Sequence, residues 1–169
     1  MKKKWSIIAV ALALVLAMAA TFGCTSGEEA PPPEPEDVVP ATLVGPAEEL
    51  LASPGLLLFP IDFAGSDWKP GELIILDMLL PEGLDMPTVE PGQDSIGIAS
   101  ATADANGNFE ASVEPSTKLN FFLRCDWQPN MLPDITTMNP LPPGTYTVRA
   151  TGLSSGKIAT TTMVFVLSE

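Results

Sequence analysis

A chain with 21 acidic residues and no histidine draws on a narrow range of chemistry. Without imidazole there is no Ser-His-Asp or Cys-His relay, no histidine general base and no ordinary zinc or copper site. GxGxxG and GxxxxGKS/T phosphate loops are absent as well. Paired carboxylates could cut a glycosidic bond, but so short a chain leaves little room for a substrate cleft. Asp62, Asp67, Glu72, Asp77 and Asp94 are the acids that could gather at a sheet edge. Thr102-Ala103-Asp104-Ala105-Asn106-Gly107 has the outline of a calcium loop. Setting Gly107 at its sixth position places Thr102 at the first and Val113 at the twelfth, where acidic ligands belong. A hairpin turn accounts for the same residues. Met78, Met86, Met131 and Met138 lack a Met-x-x-Met spacing and read as packing residues. No catalytic residue, metal ligand or cofactor is assigned. The candidates for ligand contact are Trp68 and Trp127, as stacking platforms for a sugar or peptide, together with Arg124. The competing readings are a core or anchor role for each tryptophan, and pairing of Arg124 and Arg149 with acids on strand faces.

One further residue has a chemistry set by its position. Lys2, Lys3 and Lys4 precede an apolar run from Ile7 to Phe22 that ends at Gly23-Cys24. A charged head followed by a short apolar helix is an export signal. Gly23-Cys24 resembles the end of a bacterial lipobox, in which the cysteine is acylated and becomes the new N-terminus. Thr21 and Phe22 depart from that pattern. Three readings stand: a lipid on Cys24, a secreted protein cut after Ala19, and an uncleaved N-terminal anchor, since the run approaches the roughly 18–20 residues that span a bilayer. Cys24 and Cys125 are the two cysteines. Cleavage of residues 1–23 with acylation of Cys24 leaves Cys125 without a partner, so no disulfide framework is expected, a Cys24–Cys125 pair being the competing reading. Cys125 reads as a small buried apolar residue.

All 21 acids and only five of the eight basic residues follow the leader, which leaves the remainder at −16. Such a surface repels nucleic acid. Residues 25–40 are dominated by proline and acid, with too little apolar surface for a core. Residues 24–45 are therefore read as a lipidated cysteine and a disordered tether. Its sixteen acid- and proline-rich residues, in polyproline II form, reach roughly 50 Å.

The elements that must position these candidates lie in residues 46–169. Gly45–Ala52 could form one or two weak helical turns. Leu56–Phe63 is read as a strand pair or bent strand broken at Pro60. Asp67–Glu72 is a turn with Pro70 and Gly71 placed for type II. Leu73–Leu80 suits a strand buried on both faces. Ile96–Ala103 and Phe109–Glu114 flank Asn106-Gly107, a hairpin signal, with Phe109, Ala111 and Val113 on one face. Leu119–Trp127 is expected as a strand, followed by a proline-rich loop over 128–143. Tyr146, Val148 and Ala150 alternate with polar residues. Gly152–Gly156 is a turn, and Ala159, Thr161, Met163, Phe165 and Leu167 share a face. About seven strands result, an all-β count suited to a small sandwich.

Four segments in order carry a resemblance: Trp68–Glu72, Ala103–Phe109, Pro143–Val148 and Thr151–Gly156. Together they resemble the bacterial immunoglobulin-like (Ig-like) domains of exported surface proteins, over roughly residues 56–168. The resemblance implies an Ig-like Greek-key β-sandwich and a non-enzymatic surface role in adhesion, assembly or protein–protein interaction. Gly144-Thr145-Tyr146 resembles the tyrosine-corner strand of such folds, with Val148 where antibody domains carry a cysteine. The long segment between Glu114 and Pro143 departs from the family pattern. It has two readings: packing over an open sheet end, or a binding loop for a glycan or small ligand. The expected partners are the membrane, through the lipid, and a protein or glycan on the cell surface. The expected location is extracytoplasmic.

Overall fold

The computed structural model describes residues 39–84, 86, 89–90 and 92–167. The expected leader, Cys24 and the acidic stretch to Val38 lie outside the described residues. Among the described residues, no helix is long and apolar enough to cross a membrane. The folded unit begins at Val39, earlier than the expected boundary at Pro46. Residues 39–45 are structural because Leu43 is buried and the Thr42 and Val44 amides donate to the Ser66 and Ala64 carbonyls.

Strands dominate, with short helical turns between them. They are β1 (Leu50–Leu51), β2 (Asp62–Gly65), β3 (Leu73–Leu79), β4 (Ser95–Thr102), β5 (Phe109–Ser112), β6 (Asp126–Trp127), β7 (Pro133–Asp134), β8 (Gly144–Gly152) and β9 (Ile158–Val166). One five-stranded sheet has the order β1-β9-β8-β3-β4. Its pairs are antiparallel except β1 with β9. β2 pairs with β5, and Val44 bridges to Ala64 beside them. Residues 39–51 thus stitch the sheets together, beginning antiparallel to β2 and ending parallel to β9.

Period-2 alternation explains the core. Ile74, Leu76 and Met78 of β3, Tyr146, Val148 and Ala150 of β8, and Met163 and Phe165 of β9 turn inward. Phe63, Phe109 and Ala111 of the smaller sheet join the same apolar cluster. β3 buries one face and only half-buries the other, unlike the expectation for its apolar run. It is a central antiparallel strand with the core on one side, and such sheets commonly leave the opposite face solvated.

Three turns lock one end of the molecule. Lys69–Glu72 has the expected type II form, with Gly71 at φ 76° and the Glu72 amide donating to the Lys69 carbonyl at 3.1 Å. The Asn106-Gly107 turn docks against it: the Trp68 amide donates to the Gly107 carbonyl at 3.0 Å. Gly107 has φ 78°, and a Cβ there would stand 2.4 Å from the Trp68 carbonyl oxygen. The third turn, between β8 and β9, is joined to the first by Glu72. Its buried carboxylate accepts the Lys69 and Ser155 amides at 2.7 and 3.0 Å, and the Ser154 and Ser155 hydroxyls at 3.3 and 3.0 Å. Gly152 leaves the room, since a Cβ there would meet Glu72 Oε2 at 2.6 Å. Burial pushes the Glu72 carboxyl pKa up, but these hydrogen bonds together bring it below its usual value.

Several expectations are corrected. Asn106-Gly107 does not close a paired hairpin: β4 pairs with β3 and β5 with β2, so the turn carries the chain between sheets. Residues 54–57 form a 3-10 turn rather than a strand, with Pro54 at its start. Gly45–Ala52 holds no helix; it ends in β1. Leu119–Trp127 is not one continuous strand: only its last two residues, Asp126 and Trp127, are in strand form, as β6. Pro115 opens a short helix, α1 (Pro115–Thr117), which widens into a π-type turn over Lys118–Phe122. Burial of Leu119, Phe122 and Leu123 on one side of that turn decides the matter, because a strand would alternate them.

Candidate functional site

Nine-residue β8 runs from Gly144 to the locked end at Gly152. At about 3.3 Å per residue, its two end residues lie about 26 Å apart. The insert between β5 and β8 occupies the far end. It is rooted in the core through Phe122, whose ring meets Phe165 edge-on at 5.3 Å, and Phe165 meets Tyr146 in the same way at 5.5 Å. Leu141, fully buried, donates its amide to the Phe122 carbonyl at 2.8 Å and closes the exit.

Between these roots the chain projects a small ribbon. β6 and β7 pair antiparallel, Asp126 opposite Asp134 and Trp127 opposite Pro133. Its tip is closed by the Gln128 amide on the Leu132 carbonyl at 2.9 Å. Met131 takes φ 63° there. The Asp134 carboxylate accepts the Thr136 amide at 3.0 Å and its hydroxyl at 2.6 Å. Those bonds hold the Asp134 pKa below its usual value, the hydroxyl contributing most. Side chains that would ordinarily be buried face solvent: Trp127 is 46% exposed and Met131 80%, with Leu132 and Ile135 also exposed.

The three sequence candidates separate here. Trp127 stands on the ribbon, and its indole N–H donates to Asn120 Oδ1 at 2.6 Å, which fixes the ring while leaving much of it open. Trp68 is 3% exposed, in the core edge-on to Phe109 at 5.8 Å, with its N–H on the Thr42 carbonyl at 3.0 Å. Its indole is not presented to a ligand. Arg124, at φ 47°, donates from Nε to the Asn139 carbonyl at 2.6 Å and from an Nη to the Pro140 carbonyl at 3.0 Å. Its role is to bind the insert's two strands of chain together. Arg149 meets Asp77 at 3.8 Å, the acid pairing expected for it. Cys125 is buried, and burial raises its thiol pKa, with Asp126 and Asp134 adding to the effect.

Other expectations find their places. Among the described residues, no three of the acids and Cys125 gather as a metal site. The Asp104 carboxylate accepts the Asn106 and Asn108 amides at 2.8 and 2.9 Å. Those bonds, Asn108's foremost, lower its pKa, and they are what a turn requires of the residue. Met78 and Met86 are core residues, whereas Met131 is exposed.

Two features were missed from sequence. Glu72 read as one more acid, and only its burial reveals the latch. Lys118 lies 3% exposed, with Nζ donating to the Phe59 carbonyl at 2.5 Å and the Leu56 carbonyl at 3.4 Å. Burial holds its pKa below the usual lysine value, while the nearby Asp62 carboxylate works in the opposite direction. A single lysine in an apolar run gave no signal beyond its spacing.

No known family description matches the chain, and no curated protein matches it significantly. Among solved structures, macromomycin is similar at 15% identity over 75% of this chain and 99% of its own, with a TM-score of 0.40. BslA, described as a bacterial hydrophobin, is similar at 12% identity over 76% of this chain and 99% of its own, with a TM-score of 0.34. Neither likeness is close enough to transfer a property to this chain.

Proposed function

We propose that the protein is a non-enzymatic, extracytoplasmic interaction module of the bacterial cell envelope, an Ig-like Greek-key sandwich held by a lipid on Cys24. The order β9-β8-β3-β4 against β2-β5 supports the Ig-like reading, because it corresponds to the G-F-C-C′ and B-E strands of that fold. The Tyr146 hydroxyl also donates to the Pro142 carbonyl four residues upstream at 2.8 Å, as a tyrosine corner does. The leader, ending at Gly23-Cys24, and the acid-proline stretch behind it support the tethered location. Secretion after cleavage at Ala19 and retention by an uncleaved helix are the competing routes.

The observation that carries the function is the ribbon. Exposed Trp127, Met131, Leu132 and Ile135 lie within nine residues, on a scaffold rooted in the core. A partly exposed aromatic held by its own hydrogen bond is suited to be an interface anchor. A protein partner with an apolar surface is the favoured ligand. Glycan binding is the second reading, favoured by the fixed and half-open Trp127 indole.

The test uses the full-length protein and its Trp127→Ser/Met131→Ser/Leu132→Ser variant on isolated envelopes and a glycan panel. At least a tenfold loss of envelope binding, with unchanged melting, is expected. Equal binding by the two removes the ribbon from the function, and loss confined to the glycan panel selects the second reading. In parallel, Cys24→Ala should abolish the lipid mass carried at residue 24, read by mass spectrometry of the N-terminal peptide. Unchanged mass and unchanged membrane association would exclude the lipid.

A further inference from the structure

Beyond the ribbon, the same end of the molecule carries a second, chemically different concavity. Residues 45–51 and parts of the 53–62 segment line an open groove of about 550 Å³, within the size range of ligand sites. Pro46, Leu50, Leu51, Leu56, Phe59 and Pro60 give it an apolar lining. Phe59 is 67% exposed and Leu51 is exposed as well. Glu48, Glu49 and Asp62 also line it and are exposed, and neither Glu48 nor Glu49 has an ion-pair partner among the described residues. Lys118 stands behind the wall, its ammonium turned onto the Leu56 and Phe59 carbonyls. That clamp holds the 56–59 segment in place and keeps the lysine's donors engaged with the wall.

β1, whose two residues both line the groove, is the terminal strand of the five-stranded sheet. A terminal strand next to a trough is where an extended peptide can add to a sheet, with alternate side chains entering the trough. We infer that this groove docks an extended peptide segment of a partner protein in which apolar side chains alternate with lysine or arginine. The trough takes the apolar side chains, and Glu48, Glu49 and Asp62 meet the cations. The occupant's cations complement the acidic rim, whereas the acid-rich residues 25–38, with Glu28, Glu29, Glu34, Glu36 and Asp37, repeat its sign. This site does not depend on the ribbon or on the lipid.

The probe is an acetylated, amidated hexapeptide alternating Leu and Lys, titrated into the full-length protein in detergent and followed by amide chemical shifts. Shifts confined to residues 45–62 are expected. A Ser/Lys peptide of equal charge and a Leu/Glu peptide should bind at least tenfold more weakly. Glu48→Lys/Glu49→Lys should weaken the Leu/Lys peptide about tenfold and reverse its salt dependence, because the new lysines repel the peptide's own. Trp127→Ala should leave its affinity unchanged, which separates this site from the ribbon. Equal binding of the Ser/Lys peptide would mean charge attraction alone and overturn the proposal. So would shifts centred elsewhere, self-association that fills the groove with a second copy, or equal saturation by dodecyltrimethylammonium, which would assign the trough to lipid-like cations.

Discussion

Among the described residues, two tryptophans stand in the two halves of the folded unit, and each donates its indole N–H to one oxygen. Trp68, itself buried, gives it to the Thr42 backbone carbonyl at the locked end; Trp127 gives it to the Asn120 side chain on a surface ribbon. The same residue type therefore serves a frame in one place and a display in the other. What differs is the surroundings. At the locked end, Glu72 joins two turns and the Trp68 amide ties in the third through the Gly107 carbonyl, so the ring is enclosed. At the open end, the insert sends Phe122 and Leu141 inward and has nothing beyond its ribbon to cover Trp127, Met131 and Leu132 among the described residues. A loop can present apolar side chains when its roots, rather than its tip, supply the packing.

The contrast predicts an ordered series of effects. Trp68→Ala should be the most damaging change, costing about 3–5 kcal/mol as a large core deletion does, read from denaturant midpoints. A cost near zero would mean the locked end is not the frame. Glu72→Gln comes next, at about 1–3 kcal/mol, because it puts a donor among the N–H and O–H groups that now point at two carboxylate oxygens. Its pH dependence is specific. The folded carboxyl sits below its usual value, so its stabilisation is complete above the unfolded glutamate's pKa and fades as pH falls through the folded one. Glu72→Gln should therefore flatten the acid limb of the stability curve, while an unchanged limb would place the acid sensitivity elsewhere.

The smaller effects belong to the open end. Asp134→Ala should leave the global midpoint nearly unchanged yet speed amide exchange at Thr136, whose N–H it now holds. A fall in the midpoint comparable to that of Glu72→Gln would erase the distinction between the two ends. Trp127→Ala should change stability least, within about 0.5 kcal/mol, while reducing partner binding most. Equal losses of stability for the two tryptophans would break the comparison altogether.

Much of the locked end was legible because its signals are local. Pro70-Gly71 demanded a type II turn, Asn106-Gly107 demanded a reversal, and the alternation of Tyr146, Val148 and Ala150 demanded a half-buried strand. Those turns lie within six residues, where backbone preference decides. The hairpin reading failed at the next step, since a turn's own dihedrals do not say which strands will pair beyond it. The open end was less legible. Leu119-Asn120-Phe121-Phe122-Leu123 suits a strand by composition, yet it coils because Pro115 opens a helical turn and three apolar residues find the core from one side. Leu56–Leu57 was misread for the same reason, with Pro54 starting a 3-10 turn. Trp127 and Trp68 could not be told apart at all, because exposure is a property of neighbours.

The sequence by itself determined the β-rich character, the positions of the tight turns and the inward faces of the main strands. Each follows from side-chain period or from backbone freedom at glycine and proline. Only the tertiary structure decided that Glu72 is a latch, that Lys118 is buried on two carbonyls, which tryptophan is displayed, and where the groove of residues 45–62 opens. Those depend on residues up to 83 positions apart being brought within hydrogen-bonding distance. Burial and hydrogen bonding act through such contacts, which lie beyond any local pattern.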